Sequence, residues 1–204
     1  GPVRANGGAF DVGGGGGRIA LYPVDISTLD LSLVQALGGV GSWAVAGNGT
    51  VYIKDAQEED GTLVVDGQGA STPFTSLPIP PGFVFDNIII RNNARVIADD
   101  PIVVRDSLHV LENSVLTHSQ GHEDGLSIEA ERVYVDETSR IDLTGKGYAG
   151  GRTPSNPTDD GITLGGVPGA VFRSGGSYGG YGGVYEGPGS NPPYGHPAYP
   201  VYLG

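Results

Sequence analysis

The sequence predicts an all-β protein, a right-handed parallel β-helix (a β-solenoid) of about five coils. Three stretches, "NIIIRNNARV", "LHVLENSVLT" and "RVYVDETSRI", repeat one pattern at intervals of 20 and 25 residues. In each stretch, branched apolar residues stand two apart, which is the periodicity of a strand with one buried face. Such a unit cannot bury its apolar face alone, whereas a stack of units produces a continuous core.

The repeats align residue by residue. The first strand of each repeat places apolar residues inward at Ile88 and Ile90, Leu108 and Val110, and Val133 and Val135. Polar pairs suited to a tight bend follow, namely Asn92-Asn93, Glu112-Asn113 and Glu137-Thr138. The second strand then places Val96, Leu116 and Ile141 inward. A third strand leads into the next repeat, with Ile102 and Val104 before Leu108 matching Leu126 and Ile128 before Val133.

The positions between the inward residues are expected to face outward. They are Ile89, His109 and Tyr134 on one face, and Arg95, Val115 and Arg140 on the next, with Ile97, Thr117 and Asp142 near the exit of the bend. No face stacks carboxylates. Hydrolysis of polysaccharides needs two or three converging carboxylates, so no catalytic residues are predicted.

Two earlier segments fit the repeat more loosely and are counted among the five coils. "GTVYIKDAQEEDGTLVVDGQG" offers two apolar pairs separated by an acidic excursion, and "GRIALYPVDI" offers another pair. The proline-rich "STPFTSLPIPPGF" is expected to leave the stack as a loop. "DISTLDLSLVQALGG" is expected to form a short helix or a turn that caps one end.

Glycine divides the chain into three parts. The 37 glycines of the 204 residues concentrate in residues 7–17 and again from Gly145 onward. We therefore expect a glycine-rich lead-in over residues 1–17, a β-solenoid domain over residues 18–147, and a Gly/Tyr/Pro-rich strap over residues 148–204 packed on the solenoid. Gly1-Pro2 is typical of a tag-cleavage scar, and the chain is expected to be a piece of a longer protein.

Charge and composition exclude several classes of partner. The formal net charge is −12, and nucleic acids and anionic membranes both attract basic surfaces rather than acidic ones. The chain has no cysteine, so it holds no disulfide and no thiolate metal site. The sequence contains no apolar run of about 18 residues, so no membrane insertion is predicted. An extracellular or cell-surface location is expected.

The coils over roughly residues 50–145 resemble those of right-handed parallel β-helix proteins of the pectate-lyase-like superfamily. The flanking "GGGGGRIALY", "IDLTGKG" and "GGSYGGYGG" resemble glycine-rich repeats of very large bacterial surface and secreted proteins. Together these resemblances imply an exported module that is repeated along a long chain. The superfamily includes polysaccharide lyases and hydrolases, so the resemblance also implies such an enzyme as a third possible function. It is the least favoured one, because no face stacks carboxylates.

Seven of the ten tyrosines lie from Tyr148 onward. Aromatic faces suit the CH surfaces of sugars, so these rings are candidates for contact with a carbohydrate or with a neighbouring subunit. The alternative is that the rings anchor the strap. The candidate contact residues are Tyr178, Tyr181, Tyr185, Tyr194 and Tyr199.

Two polar clusters are candidates for metal binding. Acidic loops could supply oxygen ligands to calcium, and the candidate residues are Asp99, Asp100, Asp159 and Asp160. None has the spacing of an EF-hand. "THSQGHEDG" places His118 and His122 beside two carboxylates, a set that could bind zinc, but a solvated turn is the favoured interpretation. No other cofactor is expected.

The sequence as a whole predicts a non-catalytic extracellular structural or adhesive module of a surface assembly or fibre. Its expected partners are other copies of itself or adjacent modules of a longer chain, bound end to end, because terminal coils present unpaired strand edges. The alternative is a carbohydrate-binding module that uses the tail tyrosines, with a glycan as partner.

Overall fold

The structure is a computed structural model that describes residues 1–69, 72–154, 156–163, 169–171, 174–184, 189–200 and 202–203. Strands dominate it, parallel sheets are present, and the only helices among these residues are two single 3-10 turns. The chain divides into two compact units. The strand unit comprises residues 1–117 and 127–142, and the tail unit comprises residues 118–126 and 143–204.

All named strands belong to the strand unit. In chain order they are β1 (Val3–Arg4), β2 (Arg18–Leu21), β3 (Val34–Gln35), β4 (Thr50–Ile53), β5 (Thr62–Asp66), β6 (Thr75–Ser76), β7 (Phe85–Arg91), β8 (Arg95–Ile97), β9 (Ile102–Val110), β10 (Val115–Thr117), β11 (Ile128–Val135) and β12 (Arg140–Ile141). The 3-10 turns cover Ile26–Thr28 and Leu31–Leu33, and the side chains of Asp25 and Asp30 cap them.

Three sheets arise from these strands. The largest has six strands in the order β11-β9-β7-β5-β4-β2, the second has the order β12-β10-β8-β6, and β1 pairs with β3. Within the large sheet, Leu108 pairs with both Ile88 and Val133. In the second sheet, Leu116 pairs with both Val96 and Ile141. All four of these pairings are parallel, and they confirm the predicted alignment of the three repeats for the first and second strands.

Left-handed residues form the bends between the first and second strands. Asn92 and Asn93 have φ of 57° and 64°, and Glu112 and Asn113 have φ of 57° and 62°. Asparagine tolerates this conformation better than most residues. The Asn113 side-chain amide donates to the Asn93 side-chain oxygen, and the Asn93 amide donates to the Gly69 carbonyl at 2.8 Å. Successive bends are therefore joined by side-chain hydrogen bonds as well as by the sheets.

The prediction that residues 50–66 contribute strands of parallel coils is wrong for one pairing. β4 and β5 form an antiparallel hairpin, although β5 then pairs in parallel with β7. The acidic excursion closes the hairpin because the Asp55 carboxylate accepts hydrogen bonds from the backbone N–H groups of Gln57 and Glu58. Gly61 completes the turn with φ of 74°. The connection covers residues 54–61, so it is not the two-residue turn that Asn-Gly or Asp-Gly signals in a sequence, and the hairpin was not predicted.

Aliphatic rows fill the interior between the sheets. Ile88, Ile90, Leu108 and Val110 are fully buried, as predicted. Val133 and Val135 continue the same rows but are 48% and 37% exposed, so their prediction as interior residues is wrong. The reason is that β11 is the last strand of its sheet and that no further strand among the described residues covers it.

The strand that leads into β11 is also shifted from its predicted register. Ile128 pairs with Ile102 and Ala130 pairs with Val104, whereas the sequence analysis matched Leu126 with Ile102. Leu126 lies before the strand, in the segment 118–126 that belongs to the tail unit. The predicted register is therefore wrong by two residues, because Leu126 is apolar but lies just outside the strand.

Two residues predicted to face outward are buried. Val115 lies between Arg95 and Arg140 on the neighbouring strands and is only 6% exposed. The long aliphatic stems of arginine cover apolar neighbours while their charged ends stay in water. Thr117 is buried and donates its hydroxyl to the Asp142 carbonyl at 2.6 Å.

A second apolar core lies on the opposite face of the large sheet. Its buried members are Ile19, Val34, Ala36, Val51 and Ile53. Val51 pairs with Val64 of β5 and Ile19 pairs with Val51, so the side chains of these three strands share one face. The β4–β5 end of the sheet is thereby covered on both faces.

Glycine-rich backbones continue this second core. The backbone N–H groups of Gly16 and Gly49 donate to the carbonyls of Gly47 and Ala36 at 3.0 and 2.7 Å. A Cβ on Gly16 would lie 2.3 Å from the Ala36 carbonyl oxygen. The glycines are required here because the backbones approach more closely than any side chain allows. Part of the segment set apart as a lead-in, residues 13–17, is therefore hydrogen-bonded into the strand unit.

The tail unit contains isolated bridges and turns in its described residues. Antiparallel bridges join Thr153 to Asn156, Ser174 to Val184 and His196 to Tyr199. Asn191 organises the middle of the unit, since its side-chain oxygen accepts from the Ser177 N–H at 2.9 Å and its amide donates to the Ser177 carbonyl at 3.0 Å.

Replacing Gly16 by alanine is expected to destabilise the strand unit by about 1–3 kcal/mol, the usual cost of overpacking a tight interior. The methyl group would collide with three backbone atoms that cannot swing away. Gly15→Ala is the matched control, because a Cβ at Gly15 meets nothing within 4 Å. Urea unfolding followed by circular dichroism measures the difference. Equal losses in the two variants would contradict the close backbone packing.

Candidate functional site

The free edge of β11 is the first candidate site. β9 pairs with one side of this strand, and no described strand pairs with the other. The inward row changes from fully buried at Leu108 to half exposed at Val133, and the outward Tyr134 is 54% exposed. A strand edge that combines unpaired backbone groups with apolar side chains is a template for pairing with another strand.

Charged residues lie beside these apolar residues on β11. Arg132 forms ion pairs with Asp106 of β9 and with Glu131 of its own strand. All three side chains are well exposed, so these pairs add little to stability. They nevertheless place a positive and a negative group next to each other at the centre of the free edge.

Asp136 fixes the bend that follows β11. Its carboxylate accepts hydrogen bonds from the backbone N–H of Glu112 in the preceding bend and from the backbone N–H and hydroxyl of Thr138. The Thr138 hydroxyl in turn accepts from the Asn113 N–H at 2.8 Å. The hydrogen bond from the Glu112 N–H lowers the pKa of Asp136 well below its ordinary value, and weaker contributions come from hydrogen bonds with Ser139 and Thr138. The last bend is thus attached to the one before it through a carboxylate.

An aromatic cluster that the sequence analysis missed lies on the strand unit. The Tyr52 ring contacts Tyr22, Phe83 and Phe85 edge-on, with ring centres 5.9 to 6.4 Å apart. Tyr22 is exposed and Phe85 is buried, so the cluster runs from the interior to the surface. These residues come from three separate segments. Their proximity depends on the β4–β5 hairpin, which was not predicted.

Acidic residues and one arginine border this cluster. The buried Asp86 carboxylate accepts from the backbone N–H groups of Asp60 and Gly61 at 2.8 and 2.7 Å. Arg105 forms ion pairs with Asp60 and Asp86, and also with Glu59. Burial is the main cause that raises the pKa of Tyr52, and the neighbouring Tyr22 and acidic side chains add to it. The Tyr52 hydroxyl donates a hydrogen bond to the Asp60 carbonyl. The carboxylates converge, but hydrogen bonds and Arg105 already engage Asp60 and Asp86.

The predicted tyrosines do not form one continuous platform in the structure. Tyr178 and Tyr194 lie together, with ring centres 5.1 Å apart, and the Tyr194 hydroxyl donates to the Leu203 carbonyl at 2.8 Å. Tyr181 is 79% exposed, and Tyr199 is exposed beside His196. Tyr185 lies outside the described residues.

Tyr178 and Tyr194 line a cleft of about 360 Å³ within the tail unit. His196 and the prolines Pro193, Pro197 and Pro200 form the rest of its walls. The Tyr178 hydroxyl is buried without a hydrogen-bond partner. Burial and the neighbouring Tyr178 raise the pKa of Tyr194.

Of the four aspartates predicted as calcium ligands, Asp100 and Asp159 have carboxylates that are engaged in local structure. The Asp100 carboxylate accepts from the Ile79 N–H at 2.9 Å, and Asp99 also makes an interaction. Asp159 forms an ion pair with Arg152 at 2.6 Å, and the Asp160 carbonyl accepts from the Asn156 side chain. Among the described residues, no group of three or more histidine or acidic side chains is arranged to hold a metal ion. Calcium binding stays a prediction.

The interpretation of "THSQGHEDG" as a solvated turn is wrong at its first histidine. His118 is buried, and its Nδ1 lies 2.7 Å from the Ser119 carbonyl oxygen. The His122 ring is 6.0 Å away, and its Nε2 atom is buried without a partner.

Comparisons with models of protein families, with curated proteins and with solved structures find no match to this chain. In the part of the chain that the structure describes, no helix is long and apolar enough to cross a membrane.

Replacing Asp136 by asparagine is expected to destabilise the strand unit near neutral pH and to have a smaller effect at low pH. The folded pKa of Asp136 lies below its unfolded value, so its contribution is complete above the unfolded pKa and is lost as pH falls through the folded one. The free energy of unfolding measured against pH for both proteins checks this, because the two curves should converge in acid. Asp11→Asn, on an exposed aspartate, is the control. A constant difference from neutral pH into acid would contradict the assigned role.

Proposed function

We propose that the chain is a non-catalytic, extracellular structural or adhesive module built on a right-handed parallel β-helix. Three in-register repeats with parallel pairing in two sheets support this architecture. The connection from β7 through β8 to β9 returns to the same sheet as a parallel strand, and such crossovers are right-handed in nearly all proteins. The absence of cysteine and the acidic net charge are compatible with export.

The exposed end of the stack is the observation that carries the functional proposal. A rod that ended in solvent would be expected to cover its last coil with polar residues or a cap. Instead, β11 leaves Val133, Tyr134 and Val135 exposed on a strand whose second edge has no described partner. We therefore propose that the module associates end to end, with another copy or with an adjacent module of a longer chain. Association would extend the backbone ladder and bury the apolar row.

Val133→Lys is expected to lower or abolish concentration-dependent association while leaving the module folded. A lysine on an edge strand opposes further strand pairing, and the position is exposed enough to accept it. Val24→Lys is the matched control, because Val24 is 85% exposed and lies outside every strand. Light scattering over a concentration series, with circular dichroism to verify folding, measures the outcome. A strictly monomeric wild-type chain, or equal association of all three proteins, would sink the proposal.

The cleft between Tyr178 and Tyr194 favours carbohydrate binding as a second candidate function. Its walls are aromatic and proline rings, which offer flat apolar surfaces, and the His196 ring there has nitrogens that can form hydrogen bonds. Neutral sugars present both CH faces and hydroxyl groups, so they complement both features. The surroundings carry little charge, which suits a neutral saccharide better than an acidic one.

Tyr178→Ala is expected to abolish binding of neutral saccharides without lowering the melting temperature of the strand unit. Tyr181→Ala is the control, because Tyr181 is exposed and does not line the cleft. Saturation-transfer NMR with a panel of neutral monosaccharides and their methyl glycosides measures binding. Absence of transfer to the whole panel with the wild-type chain, or equal transfer with both variants, would count against this function.

A further inference from the structure

Two glycine-rich excursions of the strand unit run out and back beside each other, and together they form an arm. In the first excursion, residues 5–8 are joined to residues 14–17 by backbone hydrogen bonds of 2.7 and 2.8 Å. In the second, residues 36–39 are joined to residues 46–49 by backbone hydrogen bonds of 2.7 and 3.0 Å. Further backbone hydrogen bonds join the first excursion to the second.

The loops that end the two excursions, residues 9–12 and 40–45, lie side by side and are called the tip loops. The Trp43 N–H of one loop donates to the Asp11 carbonyl of the other at 2.9 Å. A second backbone hydrogen bond and a parallel bridge also join the two loops. The tip loops therefore form one surface although they are about thirty residues apart in the sequence.

Four large apolar side chains project from the tip loops into solvent. Phe10 and Trp43 are 82% and 84% exposed, and Val12 and Val40 are each 64% exposed. Single apolar residues scattered over a surface need no explanation, whereas a group of them on adjoining loops marks an interaction site. We propose that this apolar tip docks the chain on an uncharged, zwitterionic lipid surface.

The charge distribution favours a neutral partner. Asp11 is the only charged residue in segments 5–17 and 34–53, although the whole chain has a formal net charge of −12. An anionic surface would repel the rest of the chain, and a basic surface would find a single carboxylate at the tip. A zwitterionic bilayer has no net charge, and tryptophan and phenylalanine side chains suit the boundary between its headgroups and its acyl chains.

The backbone of the tip loops also suits an apolar environment. An N–H group that loses its water in lipid is costly unless another group accepts its hydrogen bond. The N–H groups of Gly41, Ser42 and Trp43 all donate to carbonyls within the tip loops. Entry of the tip into the boundary region therefore leaves these donors bonded. Such docking needs no membrane-spanning segment, because only two short loops enter the lipid.

The size of the tip favours a bilayer over a protein surface. A standard protein–protein interface draws about 20–30 residues from each side, whereas the tip loops comprise four and six residues. Tip-to-tip pairing of two copies meets the same limit. A bilayer needs no matching shape, and it takes up a few protruding side chains in proportion to their apolar area.

Trp43 reports directly on the proposed docking, because it is the only tryptophan of the chain. Phosphatidylcholine vesicles are titrated into the full chain, and the Trp43 emission and co-sedimentation with the vesicles are measured. The expected result is a shift of the emission to shorter wavelength together with a bound fraction that is the same at low and at high salt, because the tip carries almost no charge to be screened. A wild-type chain that changes neither its emission nor its sedimentation would overturn the proposal.

Phe10→Asp is expected to weaken partitioning into the vesicles by roughly tenfold or more, because it removes an aromatic ring and adds a charge at the tip. Val24→Asp is the matched control, since Val24 is exposed and lies outside every strand. Both variants keep Trp43 as the reporter, and circular dichroism verifies that they are folded. Equal partitioning of the two variants would overturn docking through the tip.

The proposed docking does not depend on the free edge of β11. Val133→Lys is therefore expected to bind vesicles as the wild-type chain does, even where it no longer associates end to end. Loss of vesicle binding in Val133→Lys would overturn docking through the tip while leaving end-to-end association intact. An emission shift that follows protein concentration and ignores the vesicles would assign the tip to a second copy of the chain and would likewise overturn the lipid proposal.

Discussion

The parallel register of β7, β9 and β11 is the constraint on which most of the strand unit depends. Side chains alternate between faces along a strand, so a slip by one residue would turn the whole aliphatic row toward solvent. Ile88, Ile90, Leu108 and Val110 are all fully buried in the observed register. The left-handed bends at Asn92-Asn93 and Glu112-Asn113 turn the chain at equivalent places, and their side chains are hydrogen-bonded to each other. Packing and bend chemistry therefore specify the same alignment.

The strand unit is stabilised in two physically different ways. The repeats bury branched side chains, and their stability comes mainly from apolar area removed from water. The glycine-rich segments near residues 13–17 and 36–49 instead bring backbones within hydrogen-bonding distance and leave almost no room for side chains. Composition alone would suggest that such segments are flexible linkers. Here the residues on either side, Ile19, Val34 and Val51, provide the apolar core that orders them.

The acidic excess has a structural role that composition does not reveal. Asp86, Asp100 and Asp136 each accept a backbone N–H from a segment more than twenty residues away in the chain. A carboxylate is the strongest acceptor available for an N–H group that no strand partner satisfies. Several negative charges are therefore used to join successive turns of the chain. At Asp136, whose pKa this bonding lowers, the contribution to stability is lost in acid, and all three of these bonds leave fewer carboxylates free for a metal ion.

The sequence by itself determined the strand-rich class and the pairing of the three clear repeats, because a spacing of two residues and a bend pair are local properties of the chain. Only the tertiary structure decided the β4–β5 hairpin, the shift of Ile128 against Ile102, and the exposure of Val133. These depend on which strand lies next to which, and apolar periodicity is the same for a parallel and an antiparallel neighbour. The aromatic cluster around Tyr52 and the cleft at Tyr178 and Tyr194 bring together residues from separate segments, so no local pattern could reveal them.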